Sequence, residues 1–475
     1  MSSAAALWTR IGTKFLPFAD AASDELPLGR LLRLSLFQMS VGMAAVLLTG
    51  TLNRVMIVEL GMAASVVAGM VAIPLLFAPF RALIGHRSDH HRSVLGWKRV
   101  PYIWFGSLLQ FGGFAILPFA MLVMSGGGVG PAADWAGHVG SALAFLMIGA
   151  GMHMTQTAGL ALATDLAPEA TRPRVVALLY VMLLVGMLVS AVVIGRLLRD
   201  FTPTGLVQVI SGVAMLTMFL NLVALWKQEA RNRAATTSAT PRPPFARLWA
   251  EFVARPRTLR LLVAVGLGAA AFSMQDVLLE PYGGAILGLS VGATTSLTAL
   301  WAAGMLTGFA LAARSMAGGG DPLRLAGYGG VAGIAAFLCV LFAAPLQAVA
   351  LLAIGAALIG FGGGLFSVGT MVEAMGLAEA GRSGLALGAW GAVQATCAGL
   401  AIAIGGVSRD LVSAAAVAVD FGPTLADPAT GYGFVYCLEI LLLLGTLIAL
   451  GPLVRGRGDV PRPAAARFGL GQFPI

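Results

Sequence analysis

The chain has 475 residues, 58% of them apolar and only 11% charged, with a mean hydropathy of +0.88. So little polar surface cannot coat a water-soluble particle of this length, so the composition excludes a soluble protein and makes lipid the solvent. The net charge of +9 and pI near 10.1 do not mark a nucleic-acid binder, because Lys and Arg fall almost wholly in short loops between apolar runs.

Residues 1–33 interleave Leu7, Trp8, Ile11, Phe15 and Phe18 with Arg10 and Lys14. That pattern suits either a segment lying in the headgroup layer or a disordered tail, and it lacks the layout of a cleaved signal peptide. Apolar runs of about twenty residues then predict helices over 34–58, 64–84, 101–125, 140–163, 174–197 and 205–226. A second set follows over 259–281, 293–314, 324–344, 346–371, 383–407 and 432–454. The runs do not alternate as barrel strands do, so the expected fold is an all-α membrane bundle. Between the sets, residues 227–258 carry Lys227, Arg231, Arg233, Arg242, Arg247, Arg255 and Arg257 around a turn-rich Thr236 to Pro244. They divide an N-terminal six-helix half (34–226) from a C-terminal half (259–454), and a tail (455–475) follows. Basic residues concentrate in the N-terminus, alternate loops and the tail, which places both termini in the cytoplasm. Cys339, Cys397 and Cys437 sit in apolar runs without redox or metal spacing and read as packing residues.

The halves carry a faint repeat. Asn53-Arg54 with Glu59 in the first span matches Gln275-Asp276 with Glu280 in the seventh. Likewise Asp165, Glu169 and Arg172 match Glu373, Glu379 and Arg382. A six-plus-six bundle about a pseudo-two-fold axis along the membrane normal is expected. Arg54, Asp276 and Glu280 are costly residues in spans, and such groups pair or line a cavity. The repeat predicts a bridge from Arg54 to Asp276 or Glu280 between the halves; the alternative is separate snorkelling to the interface. Glu439 is expected to reach the headgroups or cap a neighbouring helix, although an isolated acid in a span is also a candidate proton site. Gly329 with Gly333 and Gly360 with Gly364 have the spacing of close helix packing.

The loop from Gly85 through Asp89 and Arg92 to Lys98 and Arg99 resembles, in stretched form, the loop between helices two and three of the major facilitator superfamily. Such a loop pairs an acid with basic residues and helix ends, so the halves are expected to lock there. More specifically, Leu52-Asn53-Arg54-Val55-Met56-Ile57-Val58-Glu59-Leu60, Gly96-Trp97-Lys98-Arg99-Val100-Pro101-Tyr102 and Gln275-Asp276-Val277-Leu278-Leu279-Glu280-Pro281-Tyr282-Gly283 are similar to the PucC/LhaA family. The resemblance runs over nearly the whole chain. It implies a twelve-helix major-facilitator-like fold and a bacteriochlorophyll-delivery factor of purple bacteria. Such a factor assists assembly of light-harvesting antenna, and no enzymatic activity is ascribed to the family. Its expected partners are the antenna alpha and beta polypeptides, the reaction centre core complex, pigment-synthesis enzymes and membrane lipid. The expected place is the inner or intracytoplasmic photosynthetic membrane. Overall likeness favours the LhaA, or core-antenna, branch over the PucC, or peripheral, branch.

A pigment carrier needs a ligand for the central magnesium and an apolar cleft. His153, the histidine deep in a span, is the expected ligand, with Met152 and Gln156 beside it; a hydrogen bond to a neighbouring helix is the alternative. His86, His90 and His91 lie among Arg87, Asp89 and Arg92 and read as an ion-paired surface, not a metal site. Two other functions fit the fold: a proton-coupled secondary transporter of a small solute, and a pigment-free assembly scaffold.

Overall fold

Each apolar run forms a helix. The computed structural model describes residues 22–23, 26–76, 81, 84, 88, 97–123, 131–168, 171–229, 254–317, 320–376, 383–418 and 427–455. The N-terminal half holds α1 (Leu28–Glu59), α2 (Ala64–Leu76), α3 (Val100–Leu122), α4 (Pro131–Leu166), α5 (Arg172–Leu197) and α6 (Pro203–Leu225). The C-terminal half holds α7 (Pro256–Ala285), α8 (Val291–Ala317), α9 (Pro322–Ala343), α10 (Val349–Gly376), α11 (Ser383–Ala418) and α12 (Ala429–Arg455). Eleven of these are long and apolar enough to cross a membrane; α2, as far as it is described, is shorter. Most of the 227–258 linker and the whole tail beyond residue 455 lie outside the described residues.

Proline stands in the first turn of α3, α5, α6, α7 and α9, where its missing N–H costs nothing. Thr202 and Asp321 cap α6 and α9 through the N–H groups of Gly205, Leu323 and Arg324. Large apolar side chains such as Phe105, Phe119, Phe219 and Ile448 are exposed, as lipid-facing surfaces require.

The two halves repeat one packing scheme. In the first, α1 packs on α5 and α6, α3 on α4 and α6, and α2 on α4. In the second, α7 packs on α11 and α12, α9 on α10 and α12, and α8 on α10. The halves meet through α2 against α11 and α5 against α8, two contacts that the pseudo-two-fold exchanges. Small residues allow the approach: Gly406 faces Ala64 and Ala68, and Gly195 faces Gly292. Gly329 packs on α10, and Gly360 and Gly364 pack on α8, so these glycines serve the bundle itself.

Five elements depart from the sequence expectation. Helix α4 begins nine residues before the predicted 140, and α11 runs on to Ala418 instead of 407. Helix α10 starts at Val349 instead of 346, because Gln347 takes a left-handed backbone (φ 48°) that breaks the chain after α9. The departures in α7 and α1 matter most. Helix α7 tightens to a 3-10 turn over Met274–Val277, and α1 loosens to π-helical turns over Val46–Thr51 and Val55–Glu59. These irregular turns face each other across the halves.

Candidate functional site

Where α1 meets α7, polar side chains gather inside the bundle. Asn53 Nδ2 donates to the Thr49 carbonyl of its own helix and, at 3.0 Å, to the Asp276 carbonyl at the α7 break. Gln275 Nε2 donates to the Phe272 carbonyl at 3.2 Å and to Asp276 Oδ1 at 2.6 Å, holding the 3-10 turn. Glu280 is 3% exposed. Its Oε1 accepts from the Thr298 hydroxyl at 2.5 Å, and among the described residues its Oε2 has no hydrogen-bond partner. A cavity of about 70 Å³ lies here, lined by Thr49, Met187, Gln275, Asp276, Leu279, Glu280, Thr298 and Trp301. Both halves contribute to its wall.

The expected Arg54 bridge to Asp276 or Glu280 is not formed. Arg54 Nη1 pairs instead with Glu59 Oε1 at 2.5 Å, and Nη2 donates to the Leu289 carbonyl at 3.1 Å. The cause is the π-helical turn: in an α-helix a residue five positions on points about 140° away, whereas wider i→i+5 turns return Glu59 to the face of Arg54. Arg54 still crosses to the other half, but it does so onto a backbone carbonyl. Glu439 also differs from expectation. It is fully buried, faces Asp276 and lies against the Gln275 backbone at the α7 break, so it does not reach the headgroups.

His153 is half-buried on α4 with its ring directed at the Pro74 backbone of α2, and the Arg81 guanidinium is close enough to act on it electrostatically. Gly149, one turn earlier, lets the Pro74 ring pack against α4. Arg81 Nε donates to the Thr157 hydroxyl at 3.1 Å. Gln156 is occupied by Gln38 of α1, Nε2 to Oε1 at 3.3 Å, and Met152 packs on the central core. These three α4 residues therefore meet α1, α2 and the core, and the structure does not bring His153 into either large groove. Those grooves lie on the bundle's outside. One, of about 400 Å³, is formed by α1, α5 and α6; the other, of about 650 Å³, by α7, α11 and α12. They occupy equivalent places in the two halves.

At the end of the bundle that carries the chain termini, Glu229 accepts from the N–H groups of Lys98 (2.6 Å), Arg99 (3.0 Å) and Val100 (2.9 Å) at the start of α3. Arg99 in turn reaches Asp165 at 3.0 Å and Ser88 at 2.5 Å. Asp165 and Ser88 belong to the N-terminal half, and Glu229 stands in the linker just past α6. Gly85, Asp89, Arg92 and the histidines His86, His90 and His91 lie outside the described residues. At the opposite end of the bundle the halves are joined where Asp410 of α11 accepts from the Ser65 N–H at 2.7 Å. There Arg409 binds Asp410 at 2.9 Å and lies 4.7 Å over the Tyr432 ring.

Two six-helix halves joined through α2–α11 and α5–α8 define a multi-pass membrane protein of the major facilitator type. The fold matches a bacterial homologue of the human lysosomal transporter Spinster, inward-facing and occupied, with TM-score 0.65 and 15% identity, covering 91% of this chain and 98% of that one. It also matches the nucleoside transporter NupG, with TM-score 0.62 and 14% identity over 89% and 99% of the two chains. At such identity the likeness concerns the fold alone.

The chain belongs to the PUCC protein family, whose model matches residues 51–458. It is 56% identical to an uncharacterized protein in the puhA-bchM intergenic region of Rhodobacter capsulatus, over 97% of both chains. It is also 56% identical to Protein PucC of Rhodovulum sulfidophilum, over 85% of this chain and 89% of that one. A more distant relative, 28% identical over 91% and 97% of the chains, is the bacteriochlorophyll synthase 44.5 kDa chain of Rhodobacter capsulatus.

Proposed function

We propose that the protein is a non-enzymatic assembly factor for a bacterial light-harvesting antenna that binds bacteriochlorophyll and delivers it to the antenna alpha and beta polypeptides. Family membership over residues 51–458 carries this reading, since it suggests a role in photosynthetic antenna assembly. The name of the 28%-identical relative adds a link to bacteriochlorophyll. In this reading the protein lies in the photosynthetic membrane with both termini cytoplasmic, beside the reaction centre core complex and pigment-synthesis enzymes, and serves the core antenna.

The residues present supply two separate parts of such a site, a histidine on α4 and an apolar groove that it does not enter. An imidazole that gives its N–H to a carbonyl offers the lone pair of its other nitrogen to a metal, and His153 faces the Pro74 backbone in that way. The macrocycle would supply its central magnesium as the atom for that nitrogen. The α7–α11–α12 groove, of about 650 Å³ and lined by apolar residues such as Leu262, Leu400 and Leu442, suits an aliphatic tail.

Gentle purification from phototrophically grown cells tests the reading, with an absorption spectrum and identification of co-purifying chains. Bacteriochlorophyll together with antenna polypeptides is the expected result. Absence of both overturns it. Coupled transport of a small solute is the second reading, favoured by the burial of Asp276, Glu280 and Glu439 inside the bundle. Solute-dependent proton uptake by reconstituted vesicles would support that reading, and its absence across a solute panel would remove it.

A further inference from the structure

The cavity between α1 and α7 holds a buried acid whose charge is not balanced by its hydrogen bonds. Glu280 lines that cavity with Oε2 unpartnered among the described residues, and the Thr295 hydroxyl lies nearby. Arg54 on α1, itself paired with Glu59, acts on it electrostatically, Asp276 on α7 shares the cavity wall, and Glu439 on α12 faces Asp276; α5 and α8 add Met187, Thr298 and Trp301 to the wall. Arg54 is committed to Glu59 and Leu289, although its Nε has no partner among the described residues. Three carboxyls therefore share this region with one cation that is already paired. A buried carboxylate without a counter-charge is expensive, and a cavity this small admits water but no large solute.

The geometry also supplies a second position for the cation. A Cβ built on Gly50 would meet Glu280 Oε1 at 2.5 Å, and one built on Gly284 would meet Arg54 Nε at 2.9 Å. Arg54 thus lies one helical turn from Glu280 on both helices, within reach of a side-chain rotation.

We propose that Glu280 is a proton-exchange site, and that its ionised form draws Arg54 from Glu59. The acid gives its proton to water in the cavity, leaving a carboxylate and a hydronium ion, and the reverse transfer restores it. The Asn53 bond to the Asp276 carbonyl holds the two irregular turns together in the state seen here. Arg54 and Glu280 therefore form the switched pair of the contact between halves, whatever the cargo.

The test uses the full chain in lipid vesicles and dicyclohexylcarbodiimide, which adds to protonated carboxyls in apolar surroundings, with the adduct located by peptide mass spectrometry. Glu280 should be modified, with a yield that falls several-fold as the medium is made alkaline. Arg54→Gln should raise the yield several-fold at one fixed pH, and Glu280→Gln should remove the adduct while the protein still elutes as a folded species. Should Glu280→Gln fail to fold, the wild-type pH series and the Arg54→Gln comparison decide. An unmodified Glu280 in a folded wild type overturns the proposal. Protection by sodium ions at constant pH overturns it in favour of a metal cation.

Discussion

Glu280 of α7 rests its carboxylate on Gly50 of α1, and one turn further along Arg54 of α1 rests on Gly284 of α7. Each side chain occupies the space that the glycine of the opposite helix leaves empty. Close approach of the halves at this point thus depends on two absent Cβ atoms.

Gly50→Ala should displace Glu280 and Thr298 together, since the added methyl would lie 2.5 Å from one and 2.9 Å from the other. Overpacking of this kind costs about 1–3 kcal/mol. The loss should appear as a lower Tm in detergent, and Glu280→Asp, shorter by a methylene, should restore part of it. A Tm equal to wild type would show that the contact is loose.

The Arg54–Glu59 pair can be checked by reversal. Glu59→Arg should destabilise by about 1–3 kcal/mol, toward the lower value because Glu59 is a third exposed. Adding Arg54→Glu should return at least half of the loss. If the double variant is no better than the single one, Glu59 is not the partner.

Glu229→Gln should loosen the start of α3. A carboxylate receiving three backbone N–H groups compensates the helix terminus, and a neutral amide with one acceptor oxygen does so poorly. A loss of about 1–2 kcal/mol is expected in denaturant unfolding, with little change in pigment content. An unchanged midpoint would count against the cap.

His153→Ala should lower bound pigment several-fold, read from the absorption spectrum of the purified protein, while membrane insertion and Tm stay near wild type. Gln156→Leu should act differently. By breaking the bond to Gln38 it should lower Tm before it touches pigment content. Unchanged pigment in the His153 variant would remove the residue from the binding role.

The bundle and its six-plus-six repeat were readable from the sequence because apolar length and loop charge obey the bilayer directly. The matched strings around Asn53-Arg54 and Gln275-Asp276 also located the place where the halves meet. What they could not give was the partner of each charge. Periodicity assumes a regular helix, and both strings fall on irregular turns, so the geometry that sends Arg54 to Glu59 was hidden. Glu439 was misjudged for a related reason: distance along a span does not tell which face of the helix looks inward. Glu229 lay beyond the last apolar residue of its span, and a carboxylate just past one helix gives no sequence signal that it will cap another.

The hydrogen bonds between the halves among the described residues, Ser65 with Asp410, Arg54 with Leu289, Asn53 with Asp276 and Thr51 with Thr295, lie in the portion where α1 ends and α2 begins. Nearer the start of α1 the halves also meet through apolar contact, with Ala313 of α8 in the cluster around Phe37 and Leu178. Among the described residues, the polar fastening of the halves is thus gathered along one edge, as a book is held by its spine.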